Sequence, residues 1–156
     1  MGDELDDFVG GLQDKINRET EERYGKVAFD RWQDPRYIGA LAGHNGRADT
    51  TGQCGDMVEM YVKVEDGRLA DASFLTDGCM PTVVCSSLAI EMAVGRGLGQ
   101  VMEITGDTIL ARLEGLPNDH EHCAHLAAQA LHEALEDYLN KRTQNRFDPY
   151  GGKPGR

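Results

Sequence analysis

The chain has 156 residues, enough for one domain with a real core and too few for a multidomain enzyme. Its 16 basic residues stand against 27 acidic ones, a net charge of -11 with no basic run, which argues against nucleic acid as a main partner and for solubility and basic protein partners. No apolar run approaches the roughly 20 residues of a membrane span, and Met1 to Asp7 is acidic where a signal peptide is basic, so the expected location is the cytoplasm, with no membrane partner.

In chain order, Asp3 to Arg23 places Leu5, Phe8, Val9, Leu12 and Ile16 on one stripe, with Asp3, Glu4, Asp6 and Asp7 at the end that favours negative charge. This predicts an amphipathic helix. Gly10 and Gly11 weaken it by about 1 kcal/mol each, so its stability should depend on docking against this or a second subunit. A short helix over Val27 to Trp32 ends at Asp34-Pro35-Arg36, because proline restricts its predecessor and cannot donate. From Gln53 the period changes. Met57 to Val64 and Leu69 to Leu75, joined by Glu65-Asp66-Gly67, read as a β-hairpin with an Asp-Gly turn, and Arg47 to Gly52 as an added edge strand.

Pro81 suits a first helical position, and Val83 to Val94 is apolar nearly all round, which predicts a central buried helix ended by Gly95 and Gly97. Leu98 to Glu103 and Asp107 to Leu113 read as short helices. A last helix is expected from Asp119 to Lys141, with Leu126, Ala127, Ala130, Leu131, Ala134, Leu135 and Tyr138 facing the core. Thr143 to Arg156, rich in glycine and polar residues, reads as a flexible tail.

In a reducing compartment the four cysteines, Cys54, Cys79, Cys85 and Cys123, point to metal ligands, nucleophiles or buried apolar residues rather than disulfides. Cys54-Gly55-Asp56 opens the hairpin: residues two apart in an extended segment project to one side, so a thiolate and a carboxylate can face one object, with Gly55 leaving the space between them clear. Cys79 follows the second hairpin strand, and antiparallel pairing brings that strand's end beside the start of its partner. His122-Cys123 lies in the first turn of the last helix, where the macrodipole and free amides lower a thiol pKa.

At about 100° per residue Cys123 shares a face with Ala127, Ala130 and Ala134, whereas His125 and His132 turn away and read as solvated. His122 can swing in as an alternate ligand or proton acceptor. Cys85, six residues into an apolar helix from Cys79, reads as a core residue. Three thiolates and a carboxylate suit zinc or an iron-sulfur centre.

The segments Tyr24 to Gly39 (YGKVAFDRWQDPRYIG), Cys54-Gly55-Asp56, Gly78-Cys79 and His122-Cys123-Ala124 with Leu126-Ala127 resemble the NifU/IscU-type iron-sulfur cluster assembly scaffolds, over Tyr24 to about Arg142. The resemblance implies an α+β fold, SufE/NifU-like, with a small antiparallel three-stranded sheet packed against helices and an extra N-terminal helix over residues 1–23. It implies a carrier rather than an enzyme, one that assembles a [2Fe-2S] cluster from iron and persulfide sulfur and passes it to apo-proteins. Cys54, Cys79 and Cys123 match the cluster ligands, Asp56 the carboxylate that keeps the cluster transferable, and His122 the adjacent alternate ligand. Cys123 is the candidate persulfide acceptor, a cysteine desulfurase the sulfur-donating partner, and Tyr24 the tyrosine linked to pairing of two scaffolds into a homodimer.

Two rivals stand beside this reading. One is a zinc-dependent sulfur-transfer protein of the SufU branch, which the chain resembles less because it lacks that branch's insertion before the third cysteine. The other is a structural zinc protein that only mediates interaction. A departure also matters: Asn118-Asp119-His120 stands where the family's chaperone-recognition stretch reads Pro-Val-Lys after Leu116-Pro117.

Overall fold

The computed structural model describes residues 2–146. Two successive hairpins build its sheet. Strand β1 (Gly46–Thr51) turns back into β2 (Met57–Glu65), which turns back into β3 (Arg68–Thr76), giving the order β1-β2-β3, antiparallel throughout. The second turn works as the Asp-Gly pair predicts: Asp66 and Gly67 hold φ of 54° and 74°, the left-handed pair whose twist suits a two-residue hairpin.

Val58, Met60 and Val62 of β2 face inward with Ala72 and Phe74 of β3, all buried. A register shift at Lys63/Val64 then brings Leu69 into the same layer opposite Val64. The outer edge of β3 is partly covered by the segment after Pro35, where the Phe74 amide donates to the Tyr37 carbonyl and the Gly39 amide to the Phe74 carbonyl.

Helix α1 (Gly2–Tyr24) leads into α2 (Lys26–Gln33). After the sheet, α3 (Met80–Ala93), α4 (Leu98–Met102) and α5 (Gly106–Arg112) precede a 3-10 turn at Asn118–His120 and the long α6 (His122–Arg146). Helix α3 is buried almost all round, as its largely apolar composition predicts, and lies beside α6. Helix α6 covers the sheet with Ala127, Ala130, Leu131, Ala134 and Leu135, all 1% exposed or less. The two surfaces meet at backbone distance: a Cβ at Gly46 would stand 2.5 Å from the Ala134 carbonyl oxygen and 2.7 Å from Val62 Cγ2.

Two boundaries differ from the sequence reading. Asn118–His120 is a 3-10 turn rather than the start of the last helix, and α6 continues through Arg146, past the expected end at Lys141 and into the segment read as a tail. The remainder of that tail lies outside the described residues. The N-terminal helix forms, but its stripe finds no cover among the described residues. Leu5, Phe8, Val9, Leu12 and Ile16 are 47–67% exposed, and α1 touches the rest of the molecule chiefly through α2.

Candidate functional site

Three chain reversals meet at one end of the sheet. The β1–β2 hairpin loop carries Cys54 and Asp56, the β3–α3 junction carries Cys79, and the first turn of α6 carries Cys123. The Thr51↔Met57 pairing closes the first loop, and Val58↔Thr76 sets it beside the second. The Met57 amide donates to Asp77 Oδ1 at 2.8 Å, and Thr76 Oγ1 donates to the Met57 carbonyl at 2.6 Å. The loops are therefore tied to each other before any ligand is considered.

The Cys-Gly-Asp segment is not extended. Its Gly52 amide donates to the Asp56 carbonyl and its Gly55 amide to the Gly52 carbonyl, so Cys54 and Asp56 sit on a tight turn. Gly55 is needed for conformation rather than for space: its φ is 88°, and nothing lies within 4 Å of where its Cβ would be. Cys54 and Cys79 are exposed, with Cys79 serving as the N-cap of α3 in extended backbone.

Cys123 is 1% exposed and Asp56 half-buried; both contact Thr82 in the first turn of α3. Thr82 Oγ1 donates to Asp56 Oδ2 at 2.8 Å and lies 3.4 Å from Cys123 Sγ, within hydrogen-bond reach. Gly78 makes room for this. A Cβ there would stand 2.8 Å from both Asp56 Oδ2 and Thr82 Cβ.

Burial pushes the Cys123 thiol up, against the pull of the Thr82 hydroxyl, and the neighbouring Cys79, Cys54 and Asp56 add to the rise. The expected lowering by the helix terminus is thus reversed, because desolvation of the anion outweighs the helix-end contribution. Cys85 is fully buried and its thiol is pushed up further, again by burial, which matches its reading as a core residue.

His122 stands beside Cys123, Nε2 to Sγ 3.6 Å, and lines a cleft of about 250 Å³ with Gly52, Gln53, His125, Leu126 and Gln129. His125, read as turned away, is exposed yet borders this cleft and packs over Gly106. His132 is not solvated: it is half-buried, and its Nε2 is enclosed without a hydrogen-bond partner. On the other side, the Tyr24 ring lies 5.5 Å from His120, whose ring lies 6.5 Å from His122, and Arg23 pairs with Asp119 at 3.7 Å. The end of α1 therefore rests against the rim of the site.

The structure brings Cys54, Asp56, Cys79, Cys123 and His122 to one region, but it does not gather them: among the described residues no group of three or more His, Cys, Asp or Glu side chains is placed to hold a metal ion. Cys123 faces Thr82, while Cys54 and Cys79 face out. Thr82 and His120 were not singled out as working residues by the sequence. A threonine three residues after Cys79 at the start of a largely apolar helix was the available signal for the first; for the second there was only its place in the altered Asn118-Asp119-His120 stretch.

This is a small α+β protein with three thiols and a carboxylate on loops and a helix start at one end of its sheet. The NifU-like N terminal domain family matches residues 23–145, and the chain belongs to that family. The scaffold protein IscU 1 of Archaeoglobus fulgidus, named for iron-sulfur cluster assembly, is 40% identical over 120 residues, 76% of this chain and 78% of its own length. The IscU scaffold of Escherichia coli is 32% identical over 124 residues, 76% of this chain and 96% of its own. The N-terminal NifU-like protein of Brucella abortus shares the fold, with a TM-score of 0.61 at 18% identity over 78% of this chain and 98% of that one. No described helix is long and apolar enough to cross a membrane.

Proposed function

We propose that this protein is a scaffold that receives iron and persulfide sulfur, assembles them as a [2Fe-2S] cluster on Cys54, Cys79, Cys123 and Asp56, with His122 as the alternate donor, and releases the cluster to apo-proteins. The observation that carries this reading is the convergence of three thiols and one carboxylate from the β1–β2 loop, the β3–α3 junction and the first turn of α6 on one end of the sheet, two thiols facing solvent. Soft thiolates suit iron and sulfide, and a hard carboxylate leaves one weaker corner through which a recipient's cysteine can enter. The cluster is cargo, so a site open at two corners and enclosed at the third fits a carrier better than a permanent centre.

The sulfur would come from a cysteine desulfurase. Cys54 and Cys79 stand where a persulfide can reach them directly; Cys123, the acceptor suggested by the resemblance, has first to leave Thr82. The test is anaerobic reconstitution with ferrous iron, cysteine, a desulfurase and a dithiol reductant that supplies the electrons turning persulfide sulfur into sulfide, followed by visible absorption and addition of an apo-ferredoxin. A scaffold becomes coloured and then loses its colour to the acceptor. A colourless protein that holds zinc and speeds desulfurase turnover would instead be a zinc-dependent sulfur-transfer protein, and a colourless one that holds zinc without speeding turnover would be a structural zinc protein.

A further inference from the structure

Asp56 comes from the β1–β2 loop and Cys123 from the first turn of α6, yet both turn to the same hydroxyl: Thr82 Oγ1 is 2.8 Å from Asp56 Oδ2 and 3.4 Å from Cys123 Sγ. Thr82 is 0% exposed, so in the closed site these two side chains are the polar partners given to it. Gly78 lets the carboxylate approach, since a methyl group there would overlap both Asp56 Oδ2 and Thr82 Cβ. Helix α3, whose first turn carries Thr82, is embedded in the core and gives this anchor a fixed position. The contacts hold two of the four proposed ligands inward while Cys54 and Cys79 remain outside.

We infer that Thr82 is a positioning residue, a latch that holds Asp56 and Cys123 together in the closed site and makes them leave it together. The inference rests on the scaffold reading only for its purpose; the latch itself is a property of the empty protein. Cargo meets Cys54 and Cys79 first. With the single Thr82 proton given to Asp56 Oδ2, the neutral Cys123 thiol is left to donate its own proton to Thr82 Oγ1; binding at either end breaks this S–H···O–H···O⁻ chain and weakens the remaining bond, so the third and fourth corners open as a unit.

The test is the alkylation rate of each cysteine in the native, metal-free protein, followed by mass spectrometry with N-ethylmaleimide. A buried thiol reacts only after swinging out, away from Thr82, so its chemistry in the reactive state is the same with or without the hydroxyl. Only the opening equilibrium changes. In the wild type Cys54 and Cys79 should react fast, Cys123 slowly and Cys85 least. Thr82→Val, which keeps the shape and removes the hydroxyl, should speed Cys123 by roughly three- to tenfold, the worth of a net hydrogen bond, with Cys85 still protected. Thr82→Ser, which keeps the hydroxyl, should restore the slow rate.

The latch is overturned if wild-type Cys123 reacts as fast as Cys54 and Cys79, if valine leaves its rate unchanged, if serine behaves like valine, or if Cys85 accelerates in step with Cys123, which would mark general loosening of the fold. Reconstitution of the wild type, run alongside, separates the two ideas: absence of iron-sulfide absorption sinks the scaffold and leaves the labelling result standing.

Discussion

Replacing Cys85 by alanine should make the protein less stable at neutral pH and more stable at high pH. The side chain is 0% exposed in the middle of α3, so losing its sulfur costs about 1 kcal/mol in burial and cavity. Burial also pushes its thiol pKa far up, while the unfolded chain ionises near the ordinary value of about 8.5. The native state then holds a proton that the unfolded state releases. Stability from this group is complete below the unfolded pKa and falls as pH rises above it, by about 1.4 kcal/mol per unit, reaching about 2 kcal/mol at pH 10. Cys123, also raised, contributes in the same direction to both proteins and cancels in the comparison. The two stability curves should therefore cross near pH 9, at about the point where the ionisation loss equals the packing loss. Urea unfolding of wild type and Cys85→Ala at pH 7.5, 9 and 10 measures this. Parallel curves, with alanine less stable by the same margin throughout, would show that Cys85 is not held neutral in the core. Loss of cluster assembly in Cys85→Ala would show that it is a ligand.

Asp56→Ala should keep the fold, being in a loop, and lengthen the half-time of cluster transfer to an apo-ferredoxin, because a softer donor such as His122 then fills the weak corner; equal or faster transfer refutes the role given to the carboxylate. Cys79→Ser should abolish stable assembly while leaving the melting temperature within a few degrees, since the side chain is exposed; a normal cluster in this variant removes Cys79 from the ligand set. Gly46→Ala should destabilise by about 2 kcal/mol through collision with the Ala134 carbonyl and Val62, read as a lower urea midpoint, and an unchanged midpoint would mean that α6 sits further from β1. Deleting residues 2–20 should barely move the melting curve, because the α1 stripe is uncovered among the described residues, but should lower the particle mass by light scattering beyond the mass removed. An unaltered stoichiometry would refute pairing of the stripe with a second copy.

Local pattern determined the elements and the neighbourhood of the site. Period-two alternation marked β2 and β3, Asp66-Gly67 marked their turn, and the largely apolar segment after Pro81 marked α3, because each of these signals acts within a few residues of the chain. Antiparallel pairing then placed Cys54 and Asp56 near Cys79 without further information, and helical phase turned Cys123 toward the core. What pattern did not supply was everything that depends on how far a side chain is taken from water by elements remote in sequence. The first turn of α6 is a local cue for a lowered thiol pKa, yet packing against α3 buries Cys123 and reverses the sign. His132 read as solvated from its helical angle and is half-buried. Gly55 read as a spacer and is required for a left-handed turn, a backbone state the hairpin imposes. Thr82 was one of a few polar residues on a largely apolar helix until the β1–β2 loop and the first turn of α6 were folded onto it. Only tertiary structure decided that its hydroxyl lies between Asp56 and Cys123, because that contact joins residues 26 and 41 positions apart.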